Sequence, residues 1–333
     1  MHGRSLVAAT VVLLGAGSAL GWNDLVFDED ALEWRATHVV VARLVVESRE
    51  IEVLESWKGD LRRGQRIALP TFSPFVRLKE KPLLAECKLS HATASGERAV
   101  FYLERKANGT LVTAAEAAVS VVWIEEGHAF AYGMGTPTQL VELDQDEIQL
   151  RAKLADADAK RDRIAGAATI ADLGSRARTI VELVTDDSRS ARRAATDVLG
   201  TCKAESVRAI EELLARKTLL ERHPLLLRAL HEVDTDAGLT AARRIAAEEL
   251  ARWKKIAPSL DPDFAKGIGV AGDAERDELQ AHEARLAAAV FIIQGEIPGA
   301  TILRDIETLW ENPALASGAP LVLHALRGGG IPY

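Results

Sequence analysis

Leu140-Val141-Glu142-Leu143-Asp144-Gln145-Asp146-Glu147-Ile148-Gln149-Leu150 is where the spacing of apolar side chains changes. From about Thr37 to Leu143 they recur at every second position or in short β-branched runs. After Asp144 they recur every third or fourth position. The first period is that of strands and the second that of helices. The change predicts an α+β chain in two parts: a small all-β barrel over residues 22–144, then an α-helical domain over 145–333. Asp144, Asp146 and Glu147 are expected to open the first long helix, and Lys160, Arg161 and Arg163 to close it, the charge order that a helix dipole favours. That helix is polar nearly all round, which predicts a surface connector.

Upstream of the change, His38 to Val46 reads as a buried strand and Ile51 to Trp57 as its neighbour. Gln65 to Leu69 follows through Lys58-Gly59-Asp60, where Gly59 is expected at positive φ. Ala99–Arg105 and Leu111–Ala114 flank Asn108-Gly109, a strong hairpin signal, and Ser120–Ile124 and His128–Tyr132 flank Glu125-Glu126-Gly127. Pro70 to Gly96 reads as an irregular excursion. Six or seven short strands in this space describe a small barrel or sandwich.

Three patterns in this half resemble the bacterial netrin/TIMP-like proteins. They are the helix-then-strand opening Leu32 to Ala42, the strand end Val53-Leu54-Glu55-Ser56-Trp57-Lys58-Gly59-Asp60, and Gly96-Glu97-Arg98-Ala99-Val100-Phe101-Tyr102-Leu103. The resemblance implies an OB-type barrel. Animal members inhibit metalloproteinases through an N-terminal cysteine, and no cysteine stands near the expected mature start here, so inhibition by that route is not supported.

Downstream, Ala177, Ile180, Val181 and Val184 form one apolar stripe. Ala191, Ala194, Ala195, Val198 and Leu199 form another at i, i+3, i+4, i+7 and i+8, and Val207, Ile210 and Leu214 a third. Ile180 to Leu214 resembles a HEAT-like repeat, with Asp187, Arg192, Ala194-Ala195 and Leu199-Gly200 at that family's turn and packing positions. Ala242-Arg243 and Ala246-Ala247 are a weaker echo, spaced beyond the usual ~40–47-residue period. The resemblance implies an α-solenoid type stack that buries one continuous core. Further helices are expected at 224–233, 239–256, 274–294, 300–310 and 320–327, with a loop or hinge at about 257–273.

The N-terminus reads as an export signal over residues 1–21. Arg4 is followed by an uncharged stretch with an apolar heart from Leu6 to Leu14, then by small residues up to Gly21. The stretch is shorter than the ~20 residues that span a bilayer, so no membrane span is expected after signal removal, retention as an anchor being the alternative. The expected location is therefore periplasmic or extracellular.

The 333 residues are 48% hydrophobic and 27% charged with a net charge of −8, which excludes global disorder and argues against a nucleic-acid partner. The two cysteines, Cys87 and Cys202, are too few to build a fold on disulfides and are expected unpaired.

No residue is nominated as catalytic, cofactor-binding or metal-binding, and no cofactor is expected. Gly267-Ile268-Gly269-Val270-Ala271-Gly272 matches a dinucleotide fingerprint but lacks a strand before it. His231-Glu232 and His282-Glu283 lack the second histidine of a zinc helix. His282 shares a stripe with Leu279, Leu286, Val290 and Ile293, and reads, like His38, as a hydrogen-bonded core histidine. Asp156/Asp158, Asp261/Asp263, Arg62/Arg63/Arg66 and Arg189/Arg192/Arg193 read as solvated faces. Asn108-Gly109-Thr110 is a formal sequon that the tight turn explains, and Trp57 and Trp310 read as packing residues. The chain is thus expected to be an exported, non-enzymatic protein-binding or scaffold protein with a HEAT-like interaction surface. The alternative is an enzyme or enzyme-regulatory protein with a site at the domain seam, lined by His91, His128 or nearby acids.

Overall fold

A computed structural model of the protein describes residues 28–45, 50–69, 98–115, 120–132, 140–260 and 273–329. The chain divides into two compact units, Met1–Lys160 and Arg161–Tyr333. It is an α+β protein: a curled antiparallel sheet of eight strands, then a helical domain.

In the first unit, helix α1 (Glu29–Arg35) is capped by Asp28, whose Oδ1 accepts from the Ala31 amide at 3.1 Å. The strands are β1 (His38–Val45), β2 (Glu50–Lys58), β3 (Arg66–Ala68), β4 (Arg98–Arg105), β5 (Leu111–Thr113), β6 (Val121–Glu125), β7 (His128–Tyr132) and β8 (Leu140–Asp146). Their order is β3-β2-β1-β4-β6-β7-β8, with β5 pairing β4 beside that path. β1 lies inside the sheet between β2 and β4, and its pairing with β2 slips twice, between Val39 and Val40 and between Val41 and Ala42. Such bulges bend a strand and curl the sheet.

Alternation along the strands gives each face its own core. Val40, Ala42, Leu44, Val53, Phe101 and Leu103 pack on one side. Val39, Val41, Val100 and Tyr102 pack on the other with Leu32 and Ala36 from α1 and just after it. Burial on both sides explains the continuous apolar run Val39-Val40-Val41-Ala42 in β1. Both hairpins form where expected, with Gly109 at φ +84° and Glu126-Gly127 at +52° and +89°.

The second face is completed by helix α2 (Glu147–Ala168), which supplies Leu150 and Leu154 to its core. This corrects the surface-connector reading. Leu150, Leu154, Ala157, Ile164 and Ala167 are buried along one narrow stripe that the charged residues between them disguise. The helix also starts later and ends later than expected. Asp144 and Asp146 belong to β8, a strand absent from the sequence reading. Asp146 then makes a reciprocal cap with Gln149: the Gln149 amide donates to Asp146 Oδ1 at 2.8 Å, and the Asp146 amide to Gln149 Oε1 at 2.7 Å.

In the second unit, α3 (Leu173–Ile180) tightens into a 3-10 turn over Val181–Thr185, so the stripe expected to continue to Val184 changes helix type midway. α4 (Arg189–Gly200), α5 (Lys203–Leu214), a 3-10 segment Lys217–Arg222, α6 (His223–Val233), α7 (Thr235–Ile256), a 3-10 turn Ala257–Ser259, α8 (Asp273–Glu296), α9 (Thr301–Leu309), α10 (Pro313–Gly318) and α11 (Pro320–Leu326) follow. Neither the 217–222 segment nor α10 was anticipated. Asp172, Ser188, Asp234 and Asn312 cap α3, α4, α7 and α10.

From α3 to α9 consecutive helices pack on each other, and α4 reaches α6 and α6 reaches α8 as well. Small residues permit this closeness. A β-carbon on Gly238 of α7 would lie 2.4 Å from the His231 Cα of α6. Trp253 and Trp310 meet edge to face, 5.6 Å between ring centroids, and Trp310 donates its indole N–H to the Ala319 carbonyl at 3.0 Å.

Candidate functional site

A cleft of about 880 Å³ opens in the helical unit between the 217–222 segment, α7 and α8. Helical spacing places its polar side chains. Glu248, Glu249 and Arg252 share one side of α7, while Glu278, His282 and Arg285 stand at i, i+4 and i+7 on α8. His223, at the start of α6, completes the wall.

At its floor lies a buried ion network. Glu249 is 1% exposed, and its two oxygens lie 2.9 and 3.1 Å from His282 Nδ1. Arg285 donates to Glu249 at 2.5 Å and, through its other terminal nitrogen, to Glu248 at 2.9 Å. Nε2 of His282 lies 3.7 Å from a Glu278 oxygen. Burial pushes the Glu249 carboxyl up, but the hydrogen bonds and charges of His282 and Arg285 together outweigh it and hold the group below its ordinary value. A carboxylate paired with a guanidinium and hydrogen-bonded to an imidazole is a form in which a buried charge is tolerated. Around the mouth stand Lys217, Arg244, Glu221 and Asp277, so the entrance carries both signs of charge. Among the described residues no group of three or more His, Cys, Asp or Glu side chains is arranged to hold a metal ion.

The other sequence candidates lie elsewhere. His38 is buried and satisfied: Nε2 is 2.9 Å from Asp60 Oδ1 and Nδ1 is 2.9 Å from the Thr37 hydroxyl. Asp60 also takes two hydrogen bonds from Arg105, and these with His38 hold its carboxyl well below the usual range. His128 is exposed and pairs with Glu142, while His231 pairs with Glu296. Arg62, Arg63 and Arg66 are exposed, as expected.

Two solvated-face readings need correction. Asp158 pairs with the largely buried Lys58 at 2.6 Å, and Arg192 donates to the Asp186 and Asp187 carbonyls, fastening α4 to the turn before it. Asp156 remains exposed beside Lys160. Cys202 is a free, buried thiol 3.3 Å from the Ser206 hydroxyl. The 267–272 glycine stretch, Asp261/Asp263, His91, Cys87 and residues 1–21 lie outside the described residues.

Glu249 and Arg285 were missed. The available signal was Glu249 itself, a carboxylate set into the stripe Ala242, Ile245, Ala246, Leu250 and Trp253. No family model matches the chain, and no curated protein or solved structure matches it.

Proposed function

We propose that the chain is an exported, non-enzymatic protein-binding protein that engages its partner through the helical cleft. The supporting observation is the Glu248–Arg285–Glu249–His282 network, which holds a fixed pattern of charge at the floor of a cleft with a mouth of mixed charge. Preorganised charge favours selective recognition, because the side chains do not have to be ordered on binding. In this reading the partner presents a polar segment with both charges, and export follows from the residue 1–21 pattern.

The finer fold reading is part of the proposal. Support for an OB-type, netrin-like first unit comes from β1 lying between antiparallel β2 and β4; the sheet runs on from β4 through β6 to β8. Support for a HEAT-like second unit comes from stacked, alanine-rich helices.

Photo-crosslinkers placed in the full-length chain test the site. Position 244 should capture one partner from envelope or secreted fractions, position 62 should not, and Arg244→Glu should weaken binding of that purified partner at least tenfold. Equal capture at both positions, or unchanged affinity, overturns the reading. The same Glu249–His282 pair favours a second reading, in which His282 passes a proton to a bound substrate and Glu249 orients it. That reading requires His282→Gln to abolish turnover while leaving binding in place.

A further inference from the structure

One wall of the cleft is a strap. The 3-10 segment Lys217–Arg222 is interrupted at Leu219, with φ −111° and ψ 21°. At its base Arg216 O accepts from the Leu219 amide at 3.1 Å and meets Nε2 of His223 at 3.2 Å, and the segment also packs on α5, α6 and α8. A carbonyl oxygen only accepts, so Nε2 carries the ring proton. Nδ1 of the neutral ring is then a bare lone pair, buried and without a hydrogen-bond partner among the described residues. A second proton has only this atom to join, where it meets no acceptor among the described residues.

We propose that the strap is an acid-released latch: at neutral pH His223 ties Lys217–Arg222 down over the cleft, and protonation at Nδ1 frees the segment and opens that wall. The proposal rests on the binding reading only for its consequence, which is control of access to the partner site.

The surroundings set the direction. Burial pulls the His223 imidazole below its ordinary value, Arg285 and His282 of α8 pull the same way, and the Arg216 carbonyl and Glu249 of α7 oppose them. The strap itself carries Lys217, Glu221 and Arg222, all exposed, and Arg244, Glu248 and Arg252 of α7 and Asp277 and Glu278 of α8 line the same cleft. The remaining elements against α6 turn their charges outward: Arg193 and Asp197 of α4, Glu211 and Glu212 of α5 and Glu182 are exposed, with Arg192 partly so. Once the strap is open, His223 is hydrated and titrates near its ordinary value of 6.5. The closed form therefore loses ground by about tenfold per pH unit as the pH falls below that value, until its own lower value is reached.

Hydrogen–deuterium exchange on the ligand-free full chain tests this, with exchange times corrected for intrinsic rates. Peptides covering 214–223 should lose protection between pH 7.5 and 5.0, while those within 241–250 keep theirs. His223→Gln, whose amide still donates to Arg216 but takes no proton, should show equal protection at both pH values. Unchanged wild-type protection, or an equal acid loss in His223→Gln, overturns the proposal. Should that variant not fold, ¹⁵N-imidazole titration of the wild type decides: loss of protection must follow His223 ring protonation, and protonation without loss refutes the latch. Because no partner is present, failure here leaves the crosslinking result untouched, and the reverse also holds.

Discussion

Gly59 is required twice over. Its φ of +88° lies in the left-handed region, and a β-carbon there would come within 2.2 Å of the His38 ring. The imidazole is not free to retreat, because Thr37 and Asp60 hold its two nitrogens. Gly64 has nearly the same φ, +81°, but open space around it. Gly64→Ala should therefore cost only the backbone term, about 1–2 kcal/mol. Gly59→Ala should cost that and the His38 contact as well, and melting the two variants side by side measures the difference. Equal losses would show that His38 yields easily. The turn and its positive φ could be read from Lys58-Gly59-Asp60 alone, but the ring pressed against it could not, because that contact depends on strand register.

Individual elements show why the sequence pattern was informative in one half and misleading at the join. Asn108-Gly109 and Glu126-Gly127 marked their hairpins because only a few residues accept positive φ. β8 escaped because Asp144 and Asp146 look like helix-opening acids, and Asp146 does serve as one while also ending a strand. α2 was expected as a helix, but its burial escaped because charged residues separate the few apolar ones of its buried stripe. The site was hidden for another reason: His282 and Arg285 lie 33 and 36 residues from Glu249, so the pairing exists only once α7 and α8 are docked.

Helix stacking itself is testable at α4. Ala195 is fully buried on a helix that packs against Val181–Thr185 and α6. Ala195→Asp places an unpaired carboxylate in that contact and should cost about 3 kcal/mol or more, read as a fall in the denaturation midpoint. A near-neutral result would mean that this stripe does not carry the stack.

Over the whole molecule, the buried acids give stability an unusual dependence on pH. Burial, helped by Glu29, pushes Glu33 up to about 8, and burial pushes Glu283 up to about 7, although Glu283 accepts the Leu321 amide at the start of α11 at 2.7 Å. Both ordinary values are 4.5. Between 4.5 and its raised value each group keeps a proton in the folded state that the unfolded chain has already released. Each contribution is therefore complete below 4.5 and lost as the pH rises through the folded value. The other shifted groups act lower or higher. His223 adds stability as the pH climbs towards 6.5, the depressed carboxylates Asp60, Glu104, Asp172, Asp234 and Glu249 have made their gain well before that, and Tyr102 is raised above 10. From pH 6.5 to 8.0, Glu33 and Glu283 are thus the shifted groups that set the trend, and unfolding free energy should fall by on the order of 1–2 kcal/mol. Urea denaturation at the two pH values measures it. Exchange protection in β4 peptides should report the Glu33 share and in α8 peptides the Glu283 share. Glu33→Gln and Glu283→Gln should each flatten the slope in its own unit alone. A stability that rises across this window would show that the two carboxyls are ionised in the folded protein, and with that the buried packing of α1 on the sheet and of α8 on α11 would have to be redrawn.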